Sequence, residues 1–131
     1  MSILVGYVPT PTGEAAVDAA IKEASWRGVK LRIANSRKRG PLVDGTVAED
    51  ADLEAVKKRA EDAGVEVEVF TLAHEDDVVD SLLEAADAWS VDLIVIGMRK
   101  RSQVGKFIMG SSAQRILLQA EMPVMAVKVE S

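Results

Sequence analysis

The chain has 131 residues, 16 Lys and Arg against 21 Asp and Glu for a formal net charge of -5, and no cysteine. That length suits one domain with a substantial core, and the missing thiols exclude disulfides, thiolate metal sites and a cysteine nucleophile. The acidic balance argues against a general nucleic-acid binder, whose affinity rests on a broad basic surface.

The opening Met-Ser-Ile-Leu-Val lacks the basic start and longer apolar core of a signal peptide, and no stretch reaches the length of a membrane span. A cytoplasmic protein with neither nucleic acid nor membrane as partner is expected. Residues Ile3 to Val8 are mostly apolar and read as a buried strand, ended by Pro9-Thr-Pro-Thr-Gly13. From Glu14 the period becomes helical, with Val17, Ala20, Ile21 and Ala24 on one face, Thr10 or Thr12 as cap and Gly28 as stop. Val29 to Ala34 alternates as a second strand, and Asn35 to Thr46, with Arg37, Lys38 and Arg39, reads as the longest loop. A helix over about Glu49 to Ala63 and a strictly alternating strand from Val65 to Phe70 follow. A third helix runs to about Trp89 with Asp76 and Asp77 in its first turn, and Asp92 to Ile96 is a fourth strand. A glycine-rich loop, a helix over about Ser111 to Gln119 and a strand from Pro123 to Val129 complete the chain.

Strands alternating with helices imply βαβ units and one largely parallel sheet. The first and fourth strands are the most continuously apolar of the early ones and are expected side by side at the centre. The crevice at their carboxyl ends is then the switch point where ligands bind in such sheets. The last strand is too apolar for an open edge, so a partner chain is expected to cover it.

Chemistry concentrates in the stretch from Gly97 to Arg115. Arg99, Lys100, Arg101 and Lys106 lie in the predicted loop between Gly97 and Gly110, and with Arg37, Lys38 and Arg39 they put seven of the 16 basic side chains in two loops. A small anion is a better match to this than a polymer. A loop of this kind, opening a helix at Ser111, offers backbone N–H groups and mobile cations to a phosphate.

With those residues in view, the chain resembles the universal stress protein family along essentially all its length. The resemblance is carried by Ile3-Leu-Val, Asp92-Leu-Ile-Val-Ile-Gly97, Gly110-Ser-Ser-Ala-Gln-Arg-Ile-Leu and Met122-Pro-Val-Met-Ala-Val. It implies a single α/β domain over residues 1–131, three-layered α/β/α, with a five-stranded parallel sheet in the order 3-2-1-4-5. It also implies a homodimer paired through the last strand, here Val124, Met125, Ala126 and Val127. Nucleotide-binding members carry glycine, two residues, glycine, nine residues, then glycine and serine or threonine. Gly97, Gly110 and Ser111 keep that spacing, with Lys100 in place of the middle glycine. Val8 stands where those members have an aspartate that contacts the nucleoside.

By this resemblance ATP or another adenine nucleotide is the candidate ligand. Gly97 and Gly110 are then assigned to close backbone approach and Ser111 and Ser112 to phosphate oxygens. Arg99, Lys100 and Lys106 are assigned to side-chain phosphate contacts, Gly105 to turn flexibility, and Val8 and Thr10 to the nucleoside side. Gly105-Lys106 does not make an ATPase phosphate loop, because Lys100 and Phe107 occupy the glycine and hydroxyl positions. His74 has no second histidine nearby, so no metal cluster is expected. Trp26 and Trp89 read as core or rim packing. No activated nucleophile or acid–base pair is apparent, so no enzyme is expected. The reading is a stress-response module that binds a nucleotide or another phosphate ligand as a dimer. Its alternative is a stress-response interaction protein that binds no ATP and works through dimerisation and loop contacts.

Overall fold

The computed structural model describes residues 1–36, 50–72, 78–101, 106–108 and 111–130. In chain order the elements are β1 (Ser2–Tyr7), α1 (Pro11–Arg27), β2 (Lys30–Ser36), α2 (Asp50–Asp62), β3 (Val67–Leu72), α3 (Val78–Ala88), β4 (Leu93–Arg101), β5 (Lys106–Ile108), α4 (Ser111–Gln119) and β6 (Val124–Glu130). The parallel strands lie in the order β3-β2-β1-β4-β6, which is the expected 3-2-1-4-5 once the short antiparallel β5 is set aside.

The alternation along β1 divides the core into two layers. Ile3, Val5 and Tyr7 pack with Val17, Ala20 and Ala24 of α1 and with Val56 and Ala60 of α2. Leu4 faces the other way, with Ile94 and Ile96, and meets Val79, Leu82 and Ala86 of α3 and Ile116 of α4. Strands buried on both faces read as unbroken apolar runs, which is why Ile3–Val5 and Leu93–Ile96 show no alternation in sequence.

Several element ends differ from the sequence reading. α1 begins at Pro11 rather than Glu14, since proline at the first helical position gives up an N–H that has no partner there anyway. β2 runs on to Ser36, so Asn35 is a strand residue, fully buried between Tyr7 and Thr71, and neither polar atom of its side-chain amide has a partner among the described residues. The largest difference is β4, which continues through Arg99 and Lys100 to Arg101 and turns back as β5. Much of the expected glycine-rich loop is therefore a β-hairpin.

Trp89 packs edge-on against Phe70, ring centroids 4.2 Å apart, and carries the Arg32 guanidinium 5.0 Å from its ring centre. Trp26, at the end of α1, is instead 76% exposed, so it is not a core residue. Met98 is buried, and Met122 and Met125 pack against the core. Arg37, Lys38, Arg39, His74, Asp76, Asp77 and Met109 lie outside the described residues.

Candidate functional site

The β1 and β4 ladder runs only from Ile3 opposite Leu93 to Val5 opposite Val95. On its other edge β4 stays paired with β6 as far as Lys100. β5, which pairs with Arg99 to Arg101, must therefore use the edge that β1 has left. Between the two ladders, at Ile96 to Met98, that edge has no strand partner among the described residues.

A cavity of about 220 Å³ opens in this gap. Gly6 and Val8 at the end of β1, with Ile96 and Gly97 of β4, form its sheet side. Thr12, Gly13 and Ala16 of α1 close one flank. Val79 and Leu82 of α3 and Ala113 and Ile116 of α4 close the other. It is the switch-point crevice of a doubly wound sheet, where adjacent strands send their helices to opposite faces.

The glycines here serve different ends. A Cβ on Gly6 would meet nothing within 4 Å, so its bare α-carbon leaves room in the cavity. A Cβ on Gly97 would overlap the Thr12 carbonyl, and one on Gly13 the Val8 carbonyl. These two glycines let the first turn of α1 rest directly on the ends of β4 and β1. That turn is closed by its own cap, with the Gly13 N–H donating to Thr10 Oγ at 3.1 Å and the Glu14 N–H to the Thr10 carbonyl at 2.8 Å.

Polar contacts on the far side of α1 fix it in place. The Tyr7 hydroxyl donates to Glu14 Oε1 at 2.5 Å, and Arg59 of α2 donates to Glu14 Oε2 at 2.6 Å and to Asp18 Oδ1 at 2.9 Å. Burial pushes the Tyr7 phenol well above its usual pKa, and the Glu14 carboxylate that accepts its hydrogen bond adds to the shift.

The cavity wall is apolar. Among the described lining residues Thr12 alone carries a polar side chain, and its hydroxyl is hydrogen-bonded to Thr10 Oγ at 3.1 Å. Positive charge lies beyond it along the chain. At about 3.3 Å per strand residue, Arg99 stands roughly 7 Å past Gly97, and β5 opens with Lys106. α4 starts at Ser111, two residues before the lining Ala113, and has no acidic residue in its first turn, whereas α1 has Glu14. An uncharged flat or apolar group fits the cavity, with an anion towards the hairpin and the positive end of α4.

Of the residues nominated from the sequence, Val8 and Gly97 line the cavity. Thr10 is outside the lining and caps α1. Arg99 and Lys100 stand in β4, paired with Ile108 and Phe107, and Lys106 begins β5. Apart from glycine, only Ser90 among the described residues has a positive φ, so the place of Lys100 does not demand glycine's left-handed backbone. Ser111 and Ser112 open α4. Gly105 and Gly110 lie outside the described residues.

Gly6 and the apolar wall from α3 and α4 were not nominated. A lone glycine inside an apolar strand was the available signal for Gly6, since such a glycine often marks close approach by a ligand or backbone. The wall residues carry ordinary helical periodicity and gave no such sign. Among the described residues no group of three or more His, Cys, Asp or Glu could hold a metal, and no helix is long and apolar enough to cross a membrane.

Comparison with known proteins converges on one family. The profile of the universal stress protein family matches residues 1–128. A universal stress protein of Mycolicibacterium smegmatis is 39% identical over 126 residues, covering 96% of each chain. The structure of a universal stress protein from Archaeoglobus fulgidus superposes with a TM-score of 0.78 at 29% identity, covering 98% of each chain. A universal stress protein from that organism in complex with dAMP gives a TM-score of 0.71 at 25% identity over the same share.

Proposed function

Because this chain belongs to the universal stress protein family, we propose that it is a stress-response module that binds an adenine nucleotide in the switch-point cavity. The observation that carries this reading is the cavity itself. It is apolar, of about 220 Å³, and opened by the missing side chain of Gly6 between strands that have parted. The dAMP complex of the Archaeoglobus fulgidus protein supports an adenine nucleotide as the ligand. The volume is below that of a whole drug-sized site, so the cavity takes the base. The phosphates extend towards Arg99, Lys100, Lys106 and the start of α4 at Ser111 and Ser112, with Gly105 and Gly110 in the connections between them. The protein acts by occupancy, with little or no catalysis, since no titratable side chain faces the cavity among its described lining residues.

In this reading residues 1–131 form one cytoplasmic domain, and two copies pair through β6. The outer edge of β6 has no strand partner among the described residues, and its Val124, Met125, Ala126 and Val127 are apolar and half-buried. An interaction protein that binds no nucleotide is the alternative, and one experiment separates the two. The natively purified protein is denatured to release any small molecule, then refolded and titrated with ATP, ADP and AMP by calorimetry. Saturable heat from at least one is expected. No released nucleotide and no heat at millimolar concentration would leave the interaction protein as the better account.

A further inference from the structure

We infer that this site does not select for ribose: it binds 2′-deoxyadenosine monophosphate at least as tightly as adenosine monophosphate. The inference rests on the nucleotide reading above and concerns how the sugar is met. With the base in the cavity and the phosphate towards β5 and α4, the sugar must cross the rim. Val8 is the most exposed hydrophobic side chain of the lining, at 38%, and stands at that rim.

Recognition of a vicinal diol by side chains needs acceptors, and among the described residues the side-chain and turn acceptors closest to Val8 in sequence each already have a partner or are packed against a strand end. The Val8 carbonyl accepts from the Thr10 N–H at 2.8 Å and lies against Gly13. Thr12 Oγ is paired with Thr10 Oγ, and the Thr12 carbonyl is packed on Gly97. The nearest carboxylate in sequence, Glu14, has one oxygen on Tyr7 and the other on Arg59, and Asp18 is also on Arg59. A ribose 2′-hydroxyl would thus leave water to meet a valine, which gives it no hydrogen bond in return. The effect of an added hydroxyl at an apolar wall is modest, about a hundredfold at most, whereas a wall built to bond the hydroxyl discriminates far more strongly against its absence. Preference at this site therefore runs from none to a moderate one for the deoxy sugar.

The test is calorimetric titration of the whole chain with AMP and dAMP, repeated on Val8→Asp, which supplies two acceptors at the rim. The wild type is expected to bind dAMP with a Kd equal to or below that for AMP, by up to about a hundredfold. Val8→Asp is expected to turn the ratio towards AMP by at least about tenfold. A wild type that binds AMP more tightly than dAMP, or a ratio unmoved in Val8→Asp, would overturn the inference while leaving nucleotide binding in place. Heat from neither nucleotide would overturn the nucleotide reading itself and this inference with it. A melting curve for Val8→Asp matching the wild type shows that the variant is folded, as a substitution at so exposed a side chain should be.

Discussion

Tyr7 and Glu14 tie the candidate site to the stability of the sheet. The phenol is buried beneath α1 and donates a hydrogen bond to a carboxylate that also holds Arg59. Its pKa is raised from 10.0 in the fold, so the unfolded chain loses this proton first as pH climbs. The stability it contributes is complete below about pH 10 and declines as pH rises beyond that. Urea unfolding at pH 8 and pH 10.5 should show a larger loss for the wild type than for Tyr7→Phe; equal losses would contradict the account. None of this was legible in sequence, where Tyr7 was one more residue of an apolar strand. Its partner Glu14 looked like an ordinary acidic residue near a helix start, and only the fold brings the two together. Thr10 shows a related limit: a threonine before a helix reads equally well as ligand contact or cap, and the 3.1 Å bond from the Gly13 N–H identifies the cap.

Among the elements, β4 departs most from its sequence. Arg99, Lys100 and Arg101 are polar and follow a glycine, so local pattern ended the strand at Ile96. Pairing with β6 on one edge and β5 on the other extends it to Arg101, a case of tertiary context deciding strand length. The hairpin thus takes the edge of β4 that β1 has left, beyond the cavity-lining Gly97. β6 was read more fully. Its apolar run pointed to a covered edge, and in the structure it flanks β4 with a second edge unpaired among the described residues. If two copies pair there, Met125→Asp should sediment as a monomer at concentrations where the wild type is a dimer, with its circular dichroism retained. A wild-type monomer, or a variant of undiminished mass, would count against pairing through β6.

At the scale of the molecule, the central pair of strands and the switch-point crevice followed from the βαβ rhythm and the two most apolar strands, while the full strand order came with the family resemblance. Those signals are long and repeated along the chain. The floor and walls of the cavity were less legible, since they depend on where Gly6, Ala16, Leu82 and Ile116 meet after folding, from four separate elements. The sequence pointed to the basic stretch around Lys100 and thus to the phosphate end of a ligand. The structure adds an apolar cavity beside it. Val8 at the close of β1 adds an apolar side chain to the same wall.

That floor offers the most direct test of the claim that the base lies in the cavity. Gly6→Val places a side chain where a Cβ meets nothing within 4 Å, and it exchanges a strand glycine for a β-branched residue worth roughly 0.5–1 kcal/mol of added stability. Titration of wild type and Gly6→Val with dAMP, alongside their melting temperatures, is the deciding measurement. Saturable heat is expected from the wild type and none from a variant that melts at the same temperature or higher; equal affinity in the two would place the base outside the cavity.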